Sequence, residues 1–173
     1  FYTPEVDEFC KKYVYQKTVD AMAAEGRPFK GIIFFGLMLT ADGPKVLEYN
    51  ARFGDPEAQV VLPRMENDII EVMEACVDGK LDQIDLKFED NAAVCVVLAS
   101  AGYPVKYEKG IPIHGFENFK DKDGYYCFHA GTKFKDGEIV TNGGRVLGIT
   151  AKGETLKEAR KNAYAATEWI SFA

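Results

Sequence analysis

The chain has 173 residues, 47% of them hydrophobic, and its 21 Lys and Arg against 27 Asp and Glu give a formal net charge of −6. This composition is that of one globular domain or two small ones, and without a basic cluster it argues against nucleic acid as the main partner. The longest apolar run, Ile32 to Leu39, is interrupted by Gly36 and is shorter than the roughly 18 residues of a membrane-spanning helix. We therefore expect neither a nucleic acid nor a membrane as partner.

Four cysteines are scattered along the chain without C-x-x-C spacing, at Cys10, Cys76, Cys95 and Cys127. We expect them to be buried free thiols of a protein in the reducing cytoplasm. The two histidines, His114 and His129, lack the ligand spacing of a zinc site. Because the chain begins at Phe1 without a Met or a signal-like leader, we expect it to be a piece of a longer protein.

The first fifty residues predict a helix and a hairpin. Thr3 and Pro4 have the chemistry of an N-cap and a first helical residue, and Gly26 is a typical helix end. The apolar run 31–40 predicts a strand buried on both faces. After turn residues at 41–44, a second strand over 45–50 completes the hairpin.

Two helices are predicted next. The first begins after Gly54, with Asp55 as its N-cap and Pro56 as its first residue, and is interrupted by Pro63. The second runs from about residue 67 to 78 and is ended by Gly79. Its predicted inner face comprises Ile69, Val72, Met73 and Cys76.

The charged residues 80–91 separate two predicted domains, at 1–80 and 91–173. Residues 92–100 form an apolar run typical of a strand in a parallel sheet. Residues 154–170 predict a closing amphipathic helix. Its inner stripe comprises Leu156, Ala159, Ala163, Ala166 and Ile170. Between the apolar run 92–100 and this helix, short strands are predicted at 111–116, 125–132, 138–141 and 146–151, with a tight turn at 135–137.

The segment 48–57, EYNARFGDPE, holds the densest group of candidate functional residues. Glu48, Asn50 and Arg52 are two residues apart, so within a strand they would project from one face. Carboxylate and amide oxygens suit Mg²⁺, and a neighbouring Arg can hold a transferring phosphoryl group. The same spacing also fits the solvent-facing side of an ordinary hairpin, and an Arg there could pair with a nearby carboxylate.

A second candidate is the loop Asn142-Gly143-Gly144-Arg145, where two glycines bare backbone N–H groups beside a cation that suits an anion. A plain turn followed by a solvated Arg is equally compatible with this sequence. His129 fits a hydrogen-bonded structural role better than a catalytic one. The aromatic residues at 125, 126 and 128 fit a core better than a base-stacking surface.

The segment 48–57 closely resembles the metal-binding strand and turn of the glycinamide ribonucleotide synthetases, ATP-grasp ligases of purine synthesis. Four further blocks resemble that family in the same order: FKGII with GLM within 29–38, AGYP at 101–104, HAGT at 129–132 and NGGRVL at 142–147. The resemblance implies an α+β fold, with the C-terminal part of an ATP-grasp core (antiparallel strands with helices). A small mixed α/β C-terminal domain, incomplete at its own C-terminus, would follow.

The resemblance also implies a function: part of a ligase that joins glycine to 5-phosphoribosylamine through a glycyl phosphate, with ATP cleaved to ADP and phosphate. Glu48 and Asn50 would bind the Mg²⁺ (or Mn²⁺) that holds ATP, and Arg52 would be catalytic. Substrate contacts would come from Asp55, Asn142, Gly143, Gly144 and Arg145. The family's N-terminal domain and lid are absent from the sequence, so we expect the fragment to need the rest of a parent chain and to be inactive alone.

Two alternatives remain open from the sequence. Another ATP-grasp ligase or carboxylase could carry the same Glu, Asn and Arg, although in the biotin-carboxylase type a Q-V-E-H-like segment typically follows the Arg. A non-catalytic binding or docking domain could instead carry the E-x-N strand, residues 48–50, as an exposed edge.

Overall fold

The computed structural model of the protein describes residues 2–172. The chain forms two compact units. The first comprises the residues up to Gly54 together with Asn67–Leu86, and the second comprises Asp55–Glu66 together with the residues from Lys87 onward. The units therefore differ from the two continuous ranges expected from the sequence, because Asp55–Glu66 packs with the second unit.

One long helical segment opens the first unit. Helix α1 spans Pro4–Cys10, helix α2 spans Gln16–Ala24, and the π-helical turn Lys11–Tyr15 joins them. Thr3 caps α1, since its Oγ1 accepts a hydrogen bond from the backbone N–H three residues later. Gly26 follows α2 with a φ of +74°, which glycine adopts without steric cost. The predicted start and end of this helical segment are confirmed.

The hairpin follows as strands β1, Phe34–Thr40, and β2, Gly43–Asn50, paired antiparallel. The prediction that the first strand is buried on both faces is wrong, because β1 is half-buried over its first four residues and exposed over the last three. Its covered half packs against the preceding helical segment, where the ring centroids of Tyr15 and Phe35 lie 4.6 Å apart. The far end of the hairpin is in solvent.

A four-residue helix, α3 (Ala58–Val61), belongs to the second unit and continues as a 3₁₀ turn that contains Pro63. The first unit also contains α4, which spans Ile69–Asp78 as predicted. Asp68 caps it by accepting a hydrogen bond of 2.8 Å at Oδ1, and Gly79 ends it with a φ of +72°. Of its predicted inner face, Met73 is 49% exposed and the other three side chains are half-buried.

A three-stranded antiparallel sheet and one helix organise the second unit. Strands β3 (Ala92–Ala99), β4 (Tyr125–His129) and β7 (Arg145–Gly153) lie in the order β3-β7-β4. The parallel pairing expected for residues 92–100 is wrong, since β3 is an edge strand that pairs antiparallel with β7. An apolar run reports burial and does not report the direction of the partner strand.

Helix α5, Leu156–Thr167, packs on this sheet. Ala159, Ala163 and Ala166 are fully buried, as the predicted stripe requires. Leu156 is 67% exposed, so that part of the prediction is wrong. It is the first residue of the helix.

A second hairpin is formed by β5, Thr132–Lys135, and β6, Glu138–Thr141. Its tight turn at Asp136 and Gly137 is confirmed, with φ of +51° and +88°. The strand predicted over 125–132 is divided into β4 and β5, because the chain leaves one sheet for the other at residues 130–131. Residues 111–116 make only isolated bridges, at Pro112 and His114, where a regular strand was expected. A proline has no N–H to donate to a ladder.

The core of the second unit lies along β7, whose Val146, Leu147 and Ile149 are fully buried.

All four cysteines are free thiols, but only Cys10 is fully buried and the other three are half-buried. Burial raises the pKa of the Cys127 thiol to about 11. Within residues 2–172, no helix is long and apolar enough to cross a membrane.

Candidate functional site

Glu48 and Asn50 lie side by side near the end of β2, because alternate residues of a strand share a face. The amide Nδ2 of Asn50 donates to Oε1 of Glu48 at 3.3 Å. The Glu48 side chain is exposed and Asn50 is half-buried. The strand therefore presents a carboxylate and an amide together.

Gly36 makes room for the Glu48 side chain. It lies directly opposite Glu48 on β1, at a β-bulge between Gly36 and Leu37. A Cβ added to Gly36 would lie 2.8 Å from Cγ of Glu48, closer than two carbon atoms can pack. In the sequence this glycine interrupts an apolar run, and a glycine inside a strand often marks a bulge or a close approach.

Arg52 is not part of this strand face. Strand β2 ends at Asn50, and Arg52 lies in the following bend, where its Nη1 donates to the carbonyl of Phe53 at 3.1 Å. Within the described part of the chain, Arg52 forms no ion pair. It lines a largely apolar cavity of about 420 Å³ together with Lys30 and the side chains of α4.

The donor set on β2 fits a nucleotide-bound divalent cation. Glu48 and Asn50 offer one carboxylate and one amide, and Mg²⁺ takes one or two carboxylates and completes its shell with phosphate oxygens and water. Among residues 2–172, no three His, Cys, Asp or Glu side chains cluster in a way that could hold a metal ion. The pair therefore suits an ion that arrives with phosphate ligands.

Asp55 does not cap a helix, so the cap predicted at this position is wrong. Helix α3 begins only at Ala58, and no side chain caps it. The Asp55 carboxylate has two other partners: Oδ1 accepts from Nε2 of Gln59 at 2.7 Å, and Oδ2 pairs with Nη2 of Arg145 at 3.2 Å. The same Arg145 nitrogen also donates to the Asp55 carbonyl, at 2.6 Å.

The glycines of the loop 142–145 are required by packing. A Cβ on Gly144 would lie 2.0 Å from the ring of Tyr103, and one on Gly143 would lie 2.9 Å from the Cα of Gly131. The carbonyls of both glycines accept hydrogen bonds of 2.8 Å from Ser100, while neither glycine N–H has a hydrogen-bond partner among the described residues. The Asn142 side chain is exposed.

Arg145 is held in place, unlike the solvated Arg considered from the sequence. Its ion pair with Asp55 uses Nη2, and Nε and Nη1 form no hydrogen bond with any residue in the described range. The backbone of Arg145 belongs to β7, which is buried over most of its length. The structure therefore brings Asp55 and Arg145 together across ninety positions of sequence.

His129 has the structural contacts expected of it. Its Nδ1 lies 3.1 Å from Oγ1 of Thr132, and its ring stacks on Phe116 with centroids 5.0 Å apart. Tyr125 packs against Trp169 at the edge of the buried core, as expected of a core aromatic.

Comparison with protein families gives two matches from one family. The model described as the ATP-grasp (A) domain of phosphoribosylglycinamide synthetase matches residues 1–58. The model described as the C domain of the same synthetase matches residues 93–173. Segment 48–57, which carries Glu48 and Asn50, lies within the first match.

Curated relatives carry matching names. A phosphoribosylamine–glycine ligase from Caldanaerobacter subterraneus subsp. tengcongensis is 50% identical over 98% of this chain and 41% of its own length. One from Rhodopirellula baltica is 52% identical over 88% of this chain and 35% of its own. The trifunctional purine biosynthetic protein adenosine-3 of Gallus gallus is 51% identical over 94% of this chain and 16% of its own. The chain thus spans about two fifths of the length of the bacterial relatives.

Solved structures agree in fold. The phosphoribosylamine–glycine ligase of Thermotoga maritima superposes with a TM-score of 0.83 and 35% identity, over 98% of this chain and 41% of that one. The N5-carboxyaminoimidazole ribonucleotide synthetase of the same organism, at 15% identity and a TM-score of 0.59, shares the fold alone. The predicted α+β fold, that of the C-terminal part of an ATP-grasp protein, is confirmed. With two models of one family matched and relatives at about 50% identity, the chain belongs to the phosphoribosylglycinamide synthetase family.

Proposed function

We propose that the chain supplies the metal-binding strand and the C domain of a phosphoribosylamine–glycine ligase. The observation that carries this proposal is the Glu48–Asn50 pair on β2, opposite the space left by Gly36. The names of the relatives support the same reaction. In that reaction a carboxylate oxygen of glycine attacks the γ-phosphorus of ATP and ADP leaves. The nitrogen of 5-phosphoribosylamine then attacks the carbonyl carbon, and phosphate and a proton are released.

Glu48 and Asn50 would hold a Mg²⁺ (or Mn²⁺) ion together with the ATP phosphates. When bound, the ion neutralises charge on the phosphate oxygens, which phosphoryl transfer needs more than it needs an acid–base pair. Glu48 contributes the negative charge, and Asn50 contributes a neutral donor that its hydrogen bond holds beside the carboxylate. Both residues belong to a strand, the kind of rigid support that a precise site requires.

Arg52 is proposed as the catalytic cation for the transferred phosphoryl group. Its guanidinium is exposed and forms no ion pair within the described residues, so it is available to an anionic ligand. A fixed cation acts by stabilising charge that develops in the transition state.

The second group of proposed contacts, to substrate, comprises Asp55 with the loop 142–145. Arg145 is oriented by Asp55 and still has Nε and Nη1 available, which suits a phosphate of the sugar substrate. The unpaired N–H groups of Gly143 and Gly144, with the exposed amide of Asn142, add neutral donors. Asp55 supplies a carboxylate that suits the amine of glycine.

The remaining proposals concern context. We place the domain boundary between residues 80 and 91, with 1–80 in the ATP-grasp core and 91–173 in the C domain. The partner is the rest of a ligase chain in the cytoplasm, and the 173 residues alone are expected to be inactive. The carboxylase-type alternative is not retained, because both matched models belong to the phosphoribosylglycinamide synthetase family.

A chimera tests the proposal. The chain would replace the matched 41% of the Caldanaerobacter relative, and ADP release would be measured with glycine and 5-phosphoribosylamine. Glu48→Gln should lower turnover about 100-fold or more, because it removes a charge that stabilises the transition state. Glu108→Gln, at an exposed glutamate in a loop, is the matched control and should change turnover less than twofold in rough terms. A Glu48→Gln chimera with near-normal turnover would refute the metal role.

A further inference from the structure

The side-chain amide of Gln59 uses its nitrogen in a hydrogen bond and leaves its oxygen without a partner among the described residues. Its Nε2 donates to Oδ1 of Asp55 at 2.7 Å. Its Oε1 is buried and accepts no hydrogen bond from any residue in the range 2–172. A buried carbonyl oxygen without a donor costs stability, and such a group in a native protein calls for an explanation.

The backbone of Gln59 is anchored to the central strand of the second unit. Thr150, on β7, donates from its Oγ1 to the Gln59 carbonyl at 3.0 Å. The Gln59 side chain also packs beside Gly148 of the same strand, where an added Cβ would lie 3.9 Å from Cγ of Gln59, an ordinary contact distance. Gln59 is therefore fixed at both its backbone and its amide nitrogen.

These contacts close a ring around Asp55. Gln59 holds one carboxylate oxygen and Arg145 holds the other, and β7 carries both Arg145 and the Thr150 anchor of Gln59. The Asp55 side chain is nonetheless 57% exposed. Because each carboxylate oxygen has two lone pairs, a carboxylate held in this way can still accept hydrogen bonds from a ligand.

We propose that Gln59 is a positioning residue that aims the Asp55 carboxylate at the ammonium group of the amino-acid substrate. The proposal rests on the proposed function for the contact of Asp55 with substrate, whereas the positioning of Asp55 by Gln59 stands on the geometry alone. The unpaired Oε1 fits this role. A buried oxygen without a donor lowers stability, and the nitrogen of the same amide places a hydrogen bond on Asp55, so the residue serves the position of Asp55 and not the stability of the fold.

Gln59→Met separates positioning from a purely structural role. Methionine keeps the length and approximate shape of the side chain, and it removes both the donor to Asp55 and the unpaired oxygen. A purely structural hydrogen bond predicts a lower Tm for the variant. Positioning predicts an unchanged or higher Tm together with weaker substrate binding.

The chain contains a matched control for this substitution. Gln16 also donates from Nε2 to an aspartate four residues away, Asp20, at 2.8 Å. That pair lies on an exposed helix surface in the first unit, and neither residue is among the proposed contacts. Gln16→Met should leave both kinetic constants unchanged.

Kinetics of the chimera give the first readout. We expect Gln59→Met to raise the KM for glycine about tenfold or more, as for loss of a hydrogen bond to a charged group, with kcat changed by less than about threefold. A fall in kcat at unchanged KM, or no change in either constant, would overturn the proposal. If the unsubstituted chimera itself shows no glycine-dependent turnover, the proposed function fails, and Gln59 is decided by the second readout.

Crystal structures of the 173-residue chain with and without Gln59→Met give that second readout. We expect the Asp55 carboxylate to leave its place or to split between conformers when the Gln59 donor is removed. An Asp55 carboxylate that keeps its position and its contact with Arg145 in the variant contradicts the inference, whatever the chimera does.

Discussion

Substitution of Gly36 by alanine tests whether the space at this glycine determines the position of the Glu48 carboxylate. The new Cβ would lie 2.8 Å from Cγ of Glu48, where ordinary van der Waals contact begins at 3.4 Å. The two atoms must therefore separate by at least 3.4 − 2.8 = 0.6 Å. Because Gly36 is held in the hairpin ladder and the Glu48 side chain is exposed, the side chain is the part that moves.

The expected effect is on activity and not on stability. A misplacement of about 1 Å in a catalytic group can cost about 100-fold in rate, so a shift of this size should lower turnover of the chimera by roughly 10- to 100-fold. Alanine inside a strand should meanwhile gain about 0.5–1 kcal/mol over glycine, which offsets the crowding. The Tm of the variant should thus stay near that of the parent while ADP release falls.

The assay pairs ADP release with binding of Mn²⁺ in the presence of ATP, followed by electron paramagnetic resonance. Leu47→Ala is the control, since Leu47 neighbours Glu48 on β2, carries no candidate ligand group and is 64% exposed. Normal turnover and normal Mn²⁺ binding in Gly36→Ala would show that Glu48 does not depend on this space. A fall in Tm equal in both variants would attribute the loss to the hairpin as a whole.

Two further predictions concern stability and reactivity. A hydrogen bond from Lys152 lowers the pKa of Glu89 below its ordinary value, so the interaction stabilises the fold above that ordinary value and is lost as pH falls through the lowered one. Glu89→Gln should therefore flatten the acid limb of a plot of Tm against pH, and an unchanged limb would contradict this. Burial raises the pKa of Cys127 to about 11. At pH 8 in the folded chain, this thiol should therefore react with iodoacetamide far more slowly than a free cysteine, as measured by peptide mass spectrometry. Rapid labelling of Cys127 would refute this prediction.

Local chemistry made much of the secondary structure predictable. The cap at Thr3, the helix end at Gly79 and the turn at Asp136-Gly137 depend on residues within a few positions of one another, and the structure has all of them. The Glu48–Asn50 pair was readable for the same reason, because strand alternation alone places both side chains on one face.

Features that depend on distant partners were not predictable. Asp55 has a sequence context suited to an N-cap. No residue near it in the sequence indicates that its carboxylate forms an ion pair with Arg145, ninety positions away. Likewise, the apolar residues of β3 indicate burial and leave open whether the partner strand β7 runs parallel or antiparallel. Arg52 falls outside the strand face because β2 ends two residues earlier, and strand ends are set by tertiary contacts.

The two proposed carboxylates share one physical logic. The position of the Glu48 carboxylate depends on the space opposite it at Gly36, which has no side chain. The position of the Asp55 carboxylate depends on a hydrogen bond from the amide of Gln59, which is not itself a proposed substrate contact. Residue types suited to metal or phosphate chemistry can be found by inspection of a sequence, whereas orientation is carried by glycines and amides that look ordinary there. Variants at Gly36 and Gln59 that lower activity with every candidate ligand and catalytic residue intact would demonstrate that orientation limits activity as much as chemistry does.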